Sequence, residues 1–446
     1  MNAGNRLPEQ AVGQQGSAAA MIRYAYAFLT YLVLPAYALY WVLRGTANAS
    51  YRERLGQRFG FGIPRMSEGC IWVHAVSFGE VQASLPLVRS LRARFPDRSV
   101  LFTTVTPTGA SRARSLFGDD VAHCYLPFET PGAVRRFFEA ANPRLALIME
   151  TEIWPNLYHA CGRRSVPLVM VSARISPGSE RRYRLLRPLF RRALANGILI
   201  AAQSRADAQR FLDLGAEPDY VHVMGNLKFD IELPEDLGVR GAKFSHEWFR
   251  DRPAWIAAST HEGEEQTLLA AHRQVVEHVP DALLVLVPRH PERFAQVESL
   301  VRKERFSCIT RTSQQACKSD TAVFLGDTMG ELPLLYAASD VAFVGGTLAP
   351  VGGHNLLEPG ALGLPIVTGP WLFNTQEIAD MFAQAGAATR VQDADSLAHE
   401  LRRLLTDRVA AERMGEEAKR LVAENRGALE RLHELLEPHT SGLLSA

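Results

Sequence analysis

Two short stretches in the first half of the chain place acids directly after apolar runs. His74-Ala-Val-Ser77-Phe-Gly79-Glu80 follows the β-branched run Ile71–Val76 and opens a helix-period segment, with Gly79 permitting a tight turn. The dipole of that helix N-terminus favours a charged carboxylate, and a deprotonated, positioned carboxylate can take a hydroxyl proton. A first-turn glutamate that only complements the dipole has the same spacing, so both readings stay open. Glu150-Thr-Glu152-Ile-Trp154-Pro-Asn156 follows Leu145–Met149. One of its acids can cap a helix. Glycoside hydrolysis needs two carboxylates flanking one bond, and residues at i and i+2 show no such flanking.

The second half offers basic and glycine-rich turns. Pro288-Arg289-His290-Pro291 sets a guanidinium and an imidazole at a strand end, suited to phosphate. Gly326-Asp-Thr-Met329-Gly330-Glu331-Leu332 follows another strand, and Gly345-Gly346 through Gly352-Gly353-His354-Asn355-Leu356-Leu357-Glu358-Pro359 follows a third. Glycines admit close backbone approach and helix N-termini bind phosphate, so three such turns in one domain point to a nucleotide site, with Glu358 able to accept from ribose hydroxyls. Between Arg163 and Arg192 stand nine arginines against the single acid Glu180. A charge run of this kind is usually a solvated face, but in a neutral chain it also suits anionic lipid or phosphate. Asp393-Ala-Asp395 precedes a helix and reads as a cap. The chain has no P-loop, no Gly-x-Gly-x-x-Gly, no nucleophile elbow around Ser84, Ser204 or Ser259, and no zinc-type Cys/His cluster. No metal site is expected.

The elements that must hold these residues follow from the apolar pattern. The 446 residues suffice for two or three domains, and 47% hydrophobic with 22% charged side chains is globular composition. A net charge of +1 gives no drive toward nucleic acid, which is not an expected partner. Cys70, Cys124, Cys161, Cys308 and Cys317 are odd in number and scattered, which fits a reducing compartment. Strands are predicted at Ile71–Val76, Val100–Thr104, Leu145–Met149, Pro167–Val171 and Ile198–Ala202. A second series is predicted at Ala254–Ala258, Ala282–Pro288, Val323–Leu325, Val341–Val344 and Pro365–Thr368. Amphipathic segments alternate with them, so the fold class is α/β, with two doubly wound, Rossmann-like domains facing a cleft and ligands at the strand carboxyl ends. The expected division is a disordered extension at 1–20, an anchor helix at 21–44, an N-terminal domain at 45–226, a linker at 227–241 and a C-terminal domain at 242–446. The last helix is a candidate to pack back on the N-terminal domain. Tyr24–Leu43 is a run of twenty uncharged residues, bracketed by Arg23 and Arg44. As a helix it spans about 30 Å, the hydrocarbon thickness of a bilayer. A cleaved signal peptide and a helix docked on the domain are the alternatives to a membrane anchor. Arg44, Arg52, Arg54 and Arg58 follow the run, which places the bulk of the chain on the cytoplasmic side.

Taken in order, His74 to Glu80, Thr104-x-Thr106-x-Thr108-Gly109, Glu150 to Asn156, Pro288 to Pro291, Gly326 to Leu332 and Gly352 to Pro359 resemble the Kdo (3-deoxy-D-manno-octulosonic acid) transferase family of lipopolysaccharide assembly, over about residues 21–430. The resemblance implies a GT-B glycosyltransferase at the cytoplasmic face of the inner membrane that moves Kdo from CMP-Kdo to lipid IVA, the lipid A precursor. Transfer would be inverting, in a single displacement, without cofactor or metal. It implies Glu80 as general base, and Pro288, Arg289, Met329, Gly330, Glu331, Asn355, Leu356, Leu357 and Glu358 as the CMP site. Lys228, Thr260 and His261 would lie near the donor phosphate or sugar, and Glu150, Glu152 and Arg174 on the acceptor side, with inner-membrane lipids as further partners. Ser172 stands where the family pattern leads one to expect Asn. The rival readings are a GT-B enzyme with another nucleotide-sugar donor, such as a UDP-sugar transferase or epimerase, and a membrane-tethered scaffold that binds lipid phosphates.

Overall fold

Each half of the chain builds one parallel sheet of seven strands. The computed structural model describes residues 17–185, 187–194 and 197–444. One unit holds the chain up to Asp230 and again from Gly427, and the other holds Ile231–Arg426.

In the first unit the strands are β1 (Cys70–His74), β2 (Ser99–Thr104), β3 (Ala122–Tyr125), β4 (Pro143–Met149), β5 (Leu168–Ala173), β6 (Leu199–Ala202) and β7 (Val221–Val223). Their order is β3-β2-β1-β4-β5-β6-β7. Central strands are buried on both faces, which is why they read as unbroken apolar runs. Trp72 packs on one side with Phe137, Ile148 and Met170. Its neighbours Ile71 and Val73 face the other side, with Leu87, Leu91, Leu432 and Leu436.

The second unit carries β8 (Ala254–Thr260), β9 (Leu283–Pro288), β10 (Cys308–Thr310), β11 (Val323–Leu325), β12 (Val341–Val344), β13 (Ile366–Thr368) and β14 (Ala388–Arg390). The order is β10-β11-β9-β8-β12-β13-β14. Trp255 packs with Leu268 and Leu401 on one face, and Ile256 with Phe249, Phe324 and Tyr336 on the other. All ten expected strands are present, shifted by a few residues at most. The four that were not expected, β3, β7, β10 and β14, are the four sheet edges.

The domain limits differ from the expected ones. Leu227–Phe229 is not linker: it is a short 3₁₀ turn whose Leu227 and Phe229 are buried. The chain passes between units at Asp230, and Leu237–Phe244 is already a helix of the second unit. The closing helix, Ala428–Leu444, packs back on the first unit, as the sequence suggested for it, so the second unit ends at Arg426 rather than at 446. Asp230 ties it there, its carboxylate accepting from the N–H groups of Gly427 at 2.7 Å and Leu429 at 2.6 Å.

Residues 1–16 of the expected extension lie outside the described residues, and the first helix runs Ser17–Ala47, beyond 21–44 at both ends. Met21–Thr46 is long and apolar enough to cross a membrane. One side of this helix touches the first unit along its length. Arg23 is hydrogen-bonded to His159, the Tyr31 hydroxyl accepts from Gly132 N–H at 2.9 Å, and Tyr37 packs edge-on against Phe128. Trp41 is buried, with the Arg58 guanidinium 3.6 Å above its ring and 4.4 Å from that of Tyr125. The other side leaves Phe28, Leu32, Leu39 and Leu43 exposed. A buried Trp→Ala change costs about 3–5 kcal/mol, and here the loss falls on the docking of this helix. Trypsin cleavage after Arg44 is expected to accelerate at least about tenfold in Trp41→Ala, while the second unit stays protected. Unchanged cleavage would mean that the helix is held without Trp41.

Candidate active site

Glu80 sits in the first turn of a short helix, Phe78–Ala83, directly after β1. Its carboxylate accepts from Val76 N–H at 2.7 Å and from the Ser77 hydroxyl at 3.0 Å. Thr106 braces this turn: its hydroxyl donates to Val76 C=O at 3.2 Å and accepts from Gly109 N–H at 3.1 Å. A side chain at position 109 would press on that same carbonyl, which gives the Thr-x-Thr-x-Thr-Gly stretch its physical purpose.

The dipole argument alone holds Glu80 charged, but the structure shifts the balance. Burial pushes its pKa up to about 7, and Glu150 adds to the rise. The Val76 N–H, the Ser77 hydroxyl and Lys228 oppose it. A carboxyl poised near neutrality suits a general base, because both its ionised fraction and its basicity are then useful.

Glu150 follows β4 with a left-handed φ of 52°, a costly conformation for a residue with a side chain. It is flanked by Lys228 Nζ at 3.2 Å and Arg174 Nε at 3.7 Å. Glu152 is raised to about 8, first by burial and then by Glu80 and Glu150, with Trp154 acting against them. Ser172 also has a left-handed φ, 53°, at the point where the β5–β6 register skips. Asn tolerates that conformation better than Ser, which is the consequence of the departure noted at this position. The strand order reverses between β1 and β4. Glu80 and the Glu150–Glu152 turn therefore stand at the carboxyl ends on either side of the switch point, where ligands bind in such sheets. Lys228, expected near the donor, is found with Glu150.

The second unit repeats this arrangement around β8. The chain leaves β8 through Ser259, whose φ is 57°, at another register skip. The Thr260 hydroxyl donates to Glu265 at 3.0 Å, and the buried Glu265 is held by both Nη atoms of Arg293 at 2.6 and 3.1 Å. Arg289 N–H donates to Thr260 C=O at 3.0 Å, which joins the end of β9 to that of β8. His261 and His354 stack with ring planes 9° apart and their Nε2 atoms 2.7 Å apart. His290 is edge-on to His261 at 5.3 Å. Burial pulls His354 down to about 4, and His261, Arg289 and His290 lower it further. Burial and the same cationic neighbourhood lower His261. An anion held here would be met by Arg289 and two imidazoles able to gain protons.

The remaining expected donor residues have defined partners within the second unit. Glu331 is engaged by Arg311 at 2.9 and 3.1 Å and by the Thr328 hydroxyl at 2.5 Å. Burial alone would raise its pKa, but Thr328 and Arg311 outweigh burial and hold it low. Leu356 and Leu357 are buried, so their side chains belong to packing. The Asn355 amide accepts from Leu357 N–H at 3.0 Å and donates to Glu358 at 3.1 Å. Met329 is exposed and Gly330 has a φ of 85°, a turn open to a ligand. Pro288 ends β9, and burial raises Glu358 against the opposing pull of Asn355 and Arg289. The stretches holding Thr260, Arg289, Glu331 and Asn355 thus follow β8, β9, β11 and β12, four neighbours at the centre of the sheet.

The Gly345-Gly346 turn, read as a phosphate cradle, is already filled. Glu264 is fully buried and accepts from His261, Gly346, Thr347 and Leu348 N–H at 2.7–2.9 Å and from Ala349 N–H at 3.4 Å. Sequence reading missed Glu264, Glu265 and the pairing of His354. Three acids, Glu262, Glu264 and Glu265, following Ser-Thr-His at a strand end were the available signal. Among the described residues no group of three His, Cys, Asp or Glu is placed to hold a metal.

Comparison with known proteins agrees with this division. The family model described as 3-deoxy-D-manno-octulosonic-acid transferase (kdotransferase) matches residues 53–231, and that of group 1 glycosyl transferases matches residues 251–421. A 3-deoxy-D-manno-octulosonic acid transferase of Haemophilus influenzae is 40% identical over 94% of this chain and 99% of its own length. One of Bordetella pertussis is 37% identical over 85% of this chain and 90% of its own. A glycosyltransferase from Rickettsia africae superposes with a TM-score of 0.50 at 15% identity, covering 85% of this chain and 100% of that one, which speaks for the fold alone. With two seven-stranded parallel sheets of GT-B type and relatives matched almost end to end, the chain belongs to the 3-deoxy-D-manno-octulosonic acid transferase family of glycosyltransferases.

Proposed function

We propose that this protein transfers Kdo from CMP-Kdo to a hydroxyl of lipid IVA in lipopolysaccharide biosynthesis, with inversion in a single displacement. The observation that carries this reading is the poise of Glu80, a half-buried carboxyl with a pKa near 7 at the switch point of the first sheet. Glu80 takes the proton of the attacking hydroxyl. Lys228 and Arg174 hold Glu150 beside it and offset the negative charge of an anionic acceptor and donor. In the second unit Arg289, His261 and His354 receive the departing CMP phosphate, while Asn355 and Glu358 address the ribose and Met329 to Glu331 the base side. A leaving phosphate stabilised by fixed donors needs no general acid of its own.

Charge neutralisation by Arg289, Lys228 and imidazoles leaves no step that calls for a metal. Transfer is expected to persist in excess chelator. Full loss restored by added Mg²⁺ would overturn that part of the proposal. The first helix, docked on one side and apolar on the other, lies in the cytoplasmic leaflet of the inner membrane and keeps the enzyme among its lipid acceptors.

The direct test is an assay with CMP-Kdo and lipid IVA, with products resolved by mass. A mass gain of one or more Kdo units supports the reading, whereas no product with lipid IVA, or tighter binding of UDP than CMP, counts against it.

A further inference from the structure

We infer that the groove between the Ser17–Ala47 helix and the carboxyl-end loops of β2, β3 and β4 is a binding site for an acyl chain of the lipid acceptor. The inference rests on the lipid acceptor proposed above and assigns where its apolar part goes. Leu29, Val33 and Tyr37 of the helix form one wall, and Leu126, Phe128 and Trp154 form the other. The cavity is about 270 Å³. That is just below the usual range of ligand pockets, about 300 to 1,000 Å³, and it suits one chain segment rather than a sugar headgroup.

Three observations select an acyl chain. First, the groove belongs to the helix whose opposite face exposes Phe28, Leu32, Leu39 and Leu43. A helix lying in a leaflet on that face brings the groove's mouth to the acyl region. Second, Trp154 lines the groove two residues after Glu152, a carboxyl that feels both Glu80 and Glu150, and its own indole N–H has no partner among the described residues. A chain lying in the groove therefore leaves its headgroup end toward the carboxylates around Glu80. Third, the charged groups in the walls are turned away from the cavity or engaged elsewhere. Glu129 turns to the N-terminus of the Pro155–Arg163 helix, accepting from the N–H groups of Asn156 and Leu157, and burial lifts its pKa to about 8. Arg58 lies over the Trp41 and Tyr125 rings and donates to Val105 C=O at 2.7 Å. Its Nε is buried and has no partner among the described residues.

The test uses the full chain in phospholipid nanodiscs containing a phosphatidylethanolamine with a diazirine near the end of one acyl chain. After irradiation, mass mapping is expected to find label on residues 126–130 or on Trp154. Label confined to the outward positions Phe28, Leu32 and Leu39 overturns the inference. A second measurement compares lipid IVA with its deacylated form. Filling the groove by Val33→Trp is expected to lower the ratio of their kcat/KM values at least about tenfold, the effect of excluding two or so buried methylenes. An unchanged ratio overturns the inference too. Groove labelling in a protein that transfers nothing to lipid IVA would leave the acyl site standing and remove the proposed reaction, so the two can fail separately.

Discussion

Glu80→Gln is expected to lower Kdo transfer by about 10²-fold or more while CMP binding stays as in the parent protein. Glutamine keeps the shape and one acceptor for the Val76 N–H, but it cannot take a proton, and general-base catalysis is worth about 10²–10⁴. The pH profile gives a second readout. Burial holds the Glu80 carboxyl at about 7, and only its ionised form is a base. Activity should therefore rise with pH through about 7 and level off above it. Glu150 raises this pKa and Lys228 lowers it, so Lys228→Met should move the limb to higher pH. Glu152, raised to about 8 by burial, Glu80 and Glu150, titrates in the same cluster, and the observed midpoint belongs to the group as a whole. The limb should vanish in Glu80→Gln. Near-normal turnover by that variant would remove Glu80 from the role.

The second large effect is on stability. Glu264 is buried without exposure and accepts from five backbone N–H groups, one from its own turn and four from the loop after β12. Glutamine substitutes a donor for one acceptor oxygen and leaves at least two of those N–H groups facing an NH₂. Breaking a buried charged network of this kind costs about 3–5 kcal/mol. Chemical denaturation of Glu264→Gln should show the transition of the second unit at clearly lower denaturant, with the first unit little changed. CMP affinity should fall as well, because the loop that Glu264 organises also carries His354 and Asn355. An unfolding curve like that of the parent would show that the loop holds its shape without this carboxylate.

Both predictions concern residues whose types the sequence displays but whose use it hides. Glu80 was legible because an acid after an apolar strand and a tight turn has few places to go. Its pKa was not legible, since the dipole argument favours the charged form whereas burial, a property of the packed unit, dominates. Glu331 and the Gly345-Gly346 turn were legible as a strand-end acid and an N–H cradle. Arg311 and Glu264, twenty and more than eighty residues away, engage them instead.

The fold shows the same boundary. Ten strands could be read because a central strand must be apolar on both faces, and no polar pattern satisfies that demand. The edges β3, β7, β10 and β14 have three or four residues each and carry half-buried positions. Their pairing comes from a neighbour and not from their own composition. For the same reason the segment 227–241 looked like a linker, although Leu227 and Phe229 find a core to enter. The amino-acid order by itself determined the α/β class, the central strands, the family and the motifs at strand ends, because burial and turn chemistry act over a few residues. The tertiary structure alone decided which charges meet, which N–H groups are already satisfied and which carboxyls are lifted toward neutrality. Those outcomes depend on distances and desolvation between segments that only folding brings together.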